Sequence, residues 1–298
     1  MSTTVSCYLM GGLGNQLFQI FSTLSYGIDN DYIVVFPYTE TLTTGTVRPT
    51  YWNSFLHNLV KFTTNSARIK YTNAHLQKFP MYKEKSFIYN CIPQFNNHAE
   101  VMLYGYFQSY RYFQNNETNI FSLIKLESQL HDIKHEYRNL FDATNTCVSM
   151  HFRIGDYKNI QHMHPILPYE YYEASIKKLL DDTNNNCFRV LYFCQDTDNT
   201  IVESFIKRLK NKFNSIEFIK VNDNIVDWKQ MLIMSCCKYN IIANSTFSWW
   251  GAYFNQNKDK FVYYPFQWFG PALNHSVSHL FPLSWHQISY NNYFIKNL

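Results

Sequence analysis

The chain has 298 residues, 26 Lys and Arg against 22 Asp and Glu for a formal net charge of +4, and 46% hydrophobic, 18% aromatic and 16% charged residues. That length lies at the upper limit for one hydrophobic core and predicts two domains. The charge is too small and too dispersed for a nucleic-acid footprint, since no Lys/Arg run exceeds two residues.

Residues 5–10 predict a strand, followed by a glycine-rich turn, a helix over 15–26 and a strand over 32–36. From residue 39 to about 95 the pattern becomes irregular and aromatic, and helical periodicity returns over 120–140. The predicted boundary falls in the Asp142-Ala-Thr-Asn-Thr146 segment, giving domains 1–143 and 144–298, with a C-terminal tail that can pack back on the first. The second half alternates short apolar runs with helical patterns: strands over 147–152, 188–194, 216–221, 240–243 and 261–264, and helices over 168–182, 199–212, 225–238 and 246–254. This alternation predicts a parallel sheet wrapped by helices, and hence an α/β fold. No run approaches 18 apolar residues and no basic leader precedes the first strand, so neither a membrane span nor a signal peptide is expected. Seven cysteines lie scattered without a C-x-x-C, and Cys7, Cys147 and Cys194 fall in apolar runs as buried thiols of a reducing compartment. The chain is read as cytoplasmic.

Three segments hold candidate chemistry. Gly11-Gly-Leu-Gly14-Asn15-Gln16 follows the first strand, but Leu17 stands where a dinucleotide fingerprint needs its third glycine, and no acidic residue follows at the ribose distance. Either Gly14 supplies an unusual turn and Asn15 caps the helix, or Asn15 is aimed at a ligand from the carboxyl edge of the sheet. His151-Phe-Arg153-Ile-Gly-Asp156-Tyr157 ends another strand, which places residues 151 and 153 on one face. Arginine suits a diphosphate because its planar fork donates bidentately, and Asp156 either holds Arg153 or the loop, or accepts a proton. Asn244-Ser245-Thr246-Phe247-Ser-Trp249-Trp250-Gly opens a helix whose first-turn N–H groups suit an anion; the alternative is a capped helix with both tryptophans in the core. Asp227 is either a helix-start acid or an acceptor for a purine edge. Asp196-Thr-Asp198 is read as a turn that caps the next helix, and His162 and His164 lack the further ligands of a metal site.

Gly11-Gly-Leu-Gly-Asn-Gln-Leu-Phe-Gln19, Gly105-Tyr-Phe-Gln-Ser-Tyr-Arg-Tyr-Phe113, the His151–Tyr157 segment and Ile241-Ile-Ala-Asn-Ser-Thr-Phe-Ser-Trp-Trp-Gly-Ala252, taken in order, resemble the motifs of the α-1,2-fucosyltransferases, glycosyltransferase family 11. The resemblance implies two Rossmann-like domains facing a cleft, the B-type architecture. It implies transfer of L-fucose from GDP-β-L-fucose to the 2-hydroxyl of a glycan acceptor, a β-galactoside by analogy, with inversion and without metal or cofactor. It further implies that Arg153 binds the β-phosphate with Ser245 and Thr246 in support, that Phe247 lies near the nucleotide, and that Asp227 reads guanine. Gly14, His151 and Asn244 complete the implied donor set, and Asn15 sits by the reacting centre. The base is not identified by sequence: Asp156 is the first choice, and a Glu of the N-terminal half is its rival. Rival readings are another GDP-fucose-dependent transferase with the His-x-Arg-x-Gly-Asp strand, an inactive sugar-binding module, and a dinucleotide oxidoreductase, which the broken glycine fingerprint disfavours. Residues 39–95 carry no recognisable motif, so donor and linkage are expected to be kept while the acceptor can differ from galactose.

Overall fold

A computed structural model describes residues 3–95, 100–141 and 145–290. The chain divides into two compact units, unit 1 comprising residues 1–128 and 275–282 and unit 2 comprising 129–274 and 283–298. The boundary expected at 143/144 lies outside the described residues.

Unit 1 opens with β1 (Thr4–Cys7), buried along its whole length, and α1 (Leu13–Asn30). There follow β2 (Ile33–Val34), a small antiparallel hairpin of β3 (Thr41–Leu42) and β4 (Arg48–Pro49), a short α2 (Asn73–Leu76), β5 (Met81–Lys83) and β6 (Glu100–Tyr104). Its sheet has the order β2-β1-β6-β5, with each pair parallel. β5 and β6 were not anticipated. Met81 and Lys83 of β5 are exposed at the sheet edge, so no apolar alternation marks this strand. Helix α1 starts two residues earlier than expected and ends later, where Asp31 takes a left-handed conformation at φ 53°.

Past α3 (Glu117–Ile124) the division between units falls within α4 (Leu126–Glu136), which α5 (Arg138–Phe141) follows; three helices replace the single one expected over 120–140. In unit 2, β7 (Thr146–His151), α6 (Tyr169–Thr183), β8 (Phe188–Phe193), α7 (Asn199–Lys212), β9 (Glu217–Lys220), α8 (Asp227–Cys236), β10 (Tyr239–Ile241), α9 (Thr246–Tyr253), β11 (Val262–Pro265) and β12 (His286–Ile288) alternate as the sequence predicts, with β12 added. All pairs are parallel in the order β12-β11-β10-β7-β8-β9. Counted from β7, this is the doubly wound order 3-2-1-4-5-6, whose direction of winding reverses between β7 and β10. A polar clasp spans that reversal: buried Asn240 donates to Ser149 Oγ (2.7 Å) and the Met234 carbonyl, and accepts from Asn255 Nδ2 (2.8 Å). Buried amides of this kind must be fully paired, which fixes the register of the two strands.

Trp249 and Trp250 are fully buried, so the core reading of that pair is the one observed. Of the three cysteines read as buried, Cys7 and Cys194 are, whereas Cys147 is half-buried; Cys236 and Cys237 are also buried, and all seven thiols are free.

Candidate active site

In an open parallel sheet, ligands bind outside the carboxyl ends of the strands where the winding reverses. In unit 2 the segments leaving β7 and β10 flank that place. One carries His151, Arg153 and Asp156; the other carries Asn244, Ser245, Thr246 and Phe247. Helix α6 braces both strand ends: Tyr172 Oη donates to the His151 carbonyl (3.3 Å), and Tyr171 Oη donates to the Ile242 carbonyl (2.5 Å). The two segments also meet directly. Tyr157 Oη donates to the Asn244 carbonyl (3.0 Å), and the rings of His151 and Phe247 pack with centroids 5.5 Å apart.

Arg153 leaves β7 with 22% of its side chain exposed. One terminal nitrogen donates to Asp156 Oδ1 at 2.7 Å, and the guanidinium carbon lies 5.1 Å from the Tyr157 ring centroid. Its Nε is buried and finds no hydrogen-bond partner among the described residues. A buried guanidinium N–H left without an acceptor is costly in a protein that has no use for it. Of the roles open to Asp156, the geometry displays the first, a carboxylate that holds Arg153.

The backbone beyond Arg153 turns back at Gly155, whose φ is +23°. A Cβ there would fall 1.9 Å from Gln195 Oε1. The turn is fastened from β8's side: Asp198, fully buried, accepts from the Gly155 N–H (2.7 Å) and from Lys158 Nζ (3.0 Å). This corrects the reading of Asp198 as a helix cap. It stands at the N-cap position of α7 but makes no capping bond, because its carboxylate is taken by the loop that carries Arg153. Sequence reasoning missed Asp198, Lys158 and the two tyrosines of α6. Their contacts reach across 21 to 71 residues and leave no local pattern.

His151 is buried, and burial together with the Arg153 charge pushes its imidazole down to about 3. It is therefore neutral in ordinary buffers and contributes no cation. The unfolded chain takes up a proton near 6.5 and the folded one does so only near 3, so this side chain withdraws stability as pH falls through that interval. Acid unfolding followed by circular dichroism should show a loss between about pH 6.5 and 3 that is smaller in His151→Phe. An equal slope in both proteins would mean that His151 is not buried in the neutral form.

Ser245 caps α9 by accepting from the Phe247 N–H (3.4 Å), and Thr246 is the first helical residue. Asn244 is buried, and its amide donates to the carbonyls of Pro165 (2.8 Å) and Trp268 (3.3 Å), tying two loops behind the segment. Asp227 is exposed at the head of α8, the helix that leads from β9 to β10, and accepts from the Trp228 N–H (2.7 Å). Among the described residues, no group of three His, Cys, Asp or Glu is arranged to hold a metal ion.

In unit 1, the segment after β1 makes the glycine turn. The left-handed residue is Gly11 (φ +79°), which corrects the assignment of that role to Gly14; Gly14 lies buried in the first turn of α1. A Cβ on Gly11 would lie 2.5 Å from Asn15 Nδ2, so the turn needs glycine for space as well as for φ. Asn15 does not cap α1, whose N-cap is Gly12 without a side-chain bond. Its Oδ1 accepts instead from Gln108 Nε2 (3.0 Å), in the segment that leaves β6. Gln16 and Gln19 hold the turn: Gln16 Nε2 donates to the Gly11 carbonyl (2.9 Å), and Gln19 Oε1 accepts from the Met10 N–H (3.0 Å). The two motif segments of unit 1 leave β1 and β6, which are neighbours in its sheet.

The arginine-bearing loop and the capped helix thus stand together at the reversal point of a doubly wound sheet, where such sheets bind their ligands. The model of glycosyl transferase family 11 matches residues 4–272, and the chain belongs to this family. It is 29% identical over 303 residues to the O-antigen biosynthesis glycosyltransferase WbnK of Escherichia coli, covering 89% of this chain and 94% of that one. It is 30% identical over 174 residues to an Escherichia coli alpha-1,2-colitosyltransferase, covering 57% of each. Among solved structures, Arabidopsis thaliana FUT1 in complex with GDP is similar with a TM-score of 0.49 and 8% identity over 90% of this chain and 72% of that one. No helix of the described residues is long and apolar enough to cross a membrane.

Proposed function

We propose that this transferase moves L-fucose from GDP-β-L-fucose to the 2-hydroxyl of an acceptor glycan, with inversion and without a metal ion. The observation that carries the reading is Arg153, held by Asp156 and Tyr157 at the reversal point of unit 2 with its buried Nε unpaired. In the proposed reaction the bond from fucose C1 to the β-phosphate oxygen breaks, and a bond from the acceptor oxygen to C1 forms on the opposite face. The acceptor hydroxyl gives its proton to a carboxylate base, for which Asp156 is the first choice, and negative charge collects on GDP. Arg153 and the first-turn donors of α9 receive that charge, a task a divalent cation performs elsewhere. Asp227 reads the guanine edge, Phe247 lies by the nucleotide, and Ser245 and Thr246 support the phosphate. Asn15 serves the reacting centre and Gly14 the donor, whereas Asn244 and His151 act by positioning, since their side chains are buried.

A second reading is favoured by the relative named an alpha-1,2-colitosyltransferase. Colitose is fucose without its 3-hydroxyl, so the two readings differ in one donor contact. A site built to bond that hydroxyl rejects the deoxy sugar strongly, whereas an apolar pocket discriminates by only about 10–200-fold. GDP-fucose and GDP-colitose are therefore to be offered with a panel of β-galactosides and rhamnosides in the presence of EDTA, with linkage analysis of the products. The expected result is a fucosyl product linked through O2 at undiminished rate. Loss of activity in EDTA with recovery in Mn²⁺, or a product linked through another oxygen, would overturn the reading; exclusive use of GDP-colitose would select the second.

A further inference from the structure

Glu84, the residue after β5, stands outside every motif considered so far. Its Oε2 accepts two backbone N–H groups of the segment leaving β6, from Tyr106 (2.8 Å) and Phe107 (3.0 Å). Its Oε1 is buried and has no hydrogen-bond partner among the described residues. The fit is close: a Cβ on Gly105 would lie 2.4 Å from Glu84 Cβ and 2.6 Å from Oε2. Phe107 is held at φ +50°, a conformation that bulky residues avoid, with its ring fully buried and edge-on to Tyr112 at 5.3 Å. Such strain persists only where the surroundings over-determine it, and it gathers at functional sites. Here a carboxylate on the backbone and an aromatic anchor on the side chain together impose it. The next residue is Gln108, buried, whose Nε2 reaches Asn15 Oδ1. Ser109 then locks the far side, its Oγ donating to the His279 carbonyl (2.5 Å).

We propose that Glu84 is a positioning residue for the reaction: it fixes the Gly105–Ser109 turn so that Gln108, bonded to Asn15 Oδ1, holds the Asn15 amide in one orientation. The inference rests on the reading of Asn15 as a group at the reacting centre. It also separates Glu84 from the role of base, because one carboxylate oxygen is engaged by two N–H groups and the other is shut away from solvent. Burial raises its carboxyl above the usual carboxylate range, against the pull of the two N–H groups, and what the turn takes from it is an acceptor at Oε2, which an uncharged isostere also supplies.

The test is steady-state kinetics with GDP-fucose and acceptor on Glu84→Ala, Glu84→Gln, Gln108→Leu, Asn15→Ala and the Glu84→Ala/Asn15→Ala double variant. GDP affinity by calorimetry and thermal melts accompany each. A misplacement of a catalytic group by about 1 Å is worth about a hundredfold. Glu84→Ala and Gln108→Leu should accordingly lose at least about tenfold in kcat/KM with GDP affinity kept. Glu84→Gln, whose amide oxygen still accepts, should return to within about threefold of wild type. The double variant should be no worse than Asn15→Ala alone, the non-additivity expected of residues that act through one another. Glu84→Gln as inactive as Glu84→Ala, an additive double variant, or full activity in Gln108→Leu would each overturn the proposal. Wild-type turnover in Asn15→Ala would remove the reading of Asn15 and the proposal with it. A crippled Asn15→Ala beside an unaffected Glu84→Ala would overturn the proposal alone.

Discussion

Arg153→Lys is expected to fold and melt like the wild type while losing on the order of a hundredfold or more in turnover. The guanidinium is placed by two contacts, one terminal nitrogen on Asp156 and the plane against Tyr157, and its buried Nε has no acceptor among the described residues. A lysine keeps the positive charge but offers one compact ammonium, which cannot serve Asp156 and a phosphate with a planar fork. If the charge alone mattered, the loss would be slight. Near wild-type kcat in the lysine variant would show that Arg153 is not the group that receives the developing charge. The fold should survive because the side chain is partly exposed and its ion pair with Asp156, half-exposed itself, contributes little to stability.

The second large effect is expected at Asp198. Asp198→Ala leaves the Gly155 N–H without an acceptor and frees Lys158, which is exposed enough to turn to water. The stranded N–H alone costs about 1–3 kcal/mol, so a melting temperature lower by several degrees is expected. The larger consequence is functional. The Gly155 turn lies between Arg153 and Asp156 at φ +23°, with Gln195 Oε1 where a side chain would stand, and Asp198 holds its N–H. Loss of the anchor should weaken GDP binding by about tenfold or more, an effect on orientation and not on charge. Asp198→Asn, whose oxygen can still accept from Gly155, should recover most of the affinity. Calorimetry with GDP on both variants decides this, and unchanged affinity in Asp198→Ala would mean that the loop holds its shape unaided.

Unit 2 was legible in the sequence because most of its strands are short, largely apolar segments and each helix between strands carries its own periodicity. Residues 188–194 and 199–212 needed almost no correction. The segments of the candidate site were legible for the same reason, since loops at the carboxyl ends of such strands are found once the strands are found. Unit 1 was less so. Strand β5 is three residues long with exposed ends, and β12 of unit 2 is a short run of His, Gln and Ile; neither carries a pattern that distinguishes a strand from a loop. What spacing alone cannot convey is which turn residue bears the strain. Gly11 and Gly14 look equivalent in sequence, and the choice is made by Asn15 packing over Gly11. Asp198, Tyr172 and Gln108 escaped for a related reason: each acts through hydrogen bonds to partners 21 to 93 positions away.

The central claim is that the reversal point of unit 2 grips a guanosine diphosphate without help from a metal. Thermal melts in EDTA with GDP, UDP, NAD or no ligand address it most directly. A ligand present at a hundred times its Kd stabilises the folded state by about 2.7 kcal/mol. GDP in EDTA should raise the melting temperature accordingly, UDP and NAD should not, and Arg153→Lys should abolish most of the shift. Stabilisation by NAD or UDP in preference to GDP, or a GDP shift that disappears in EDTA and returns with Mn²⁺, would contradict it.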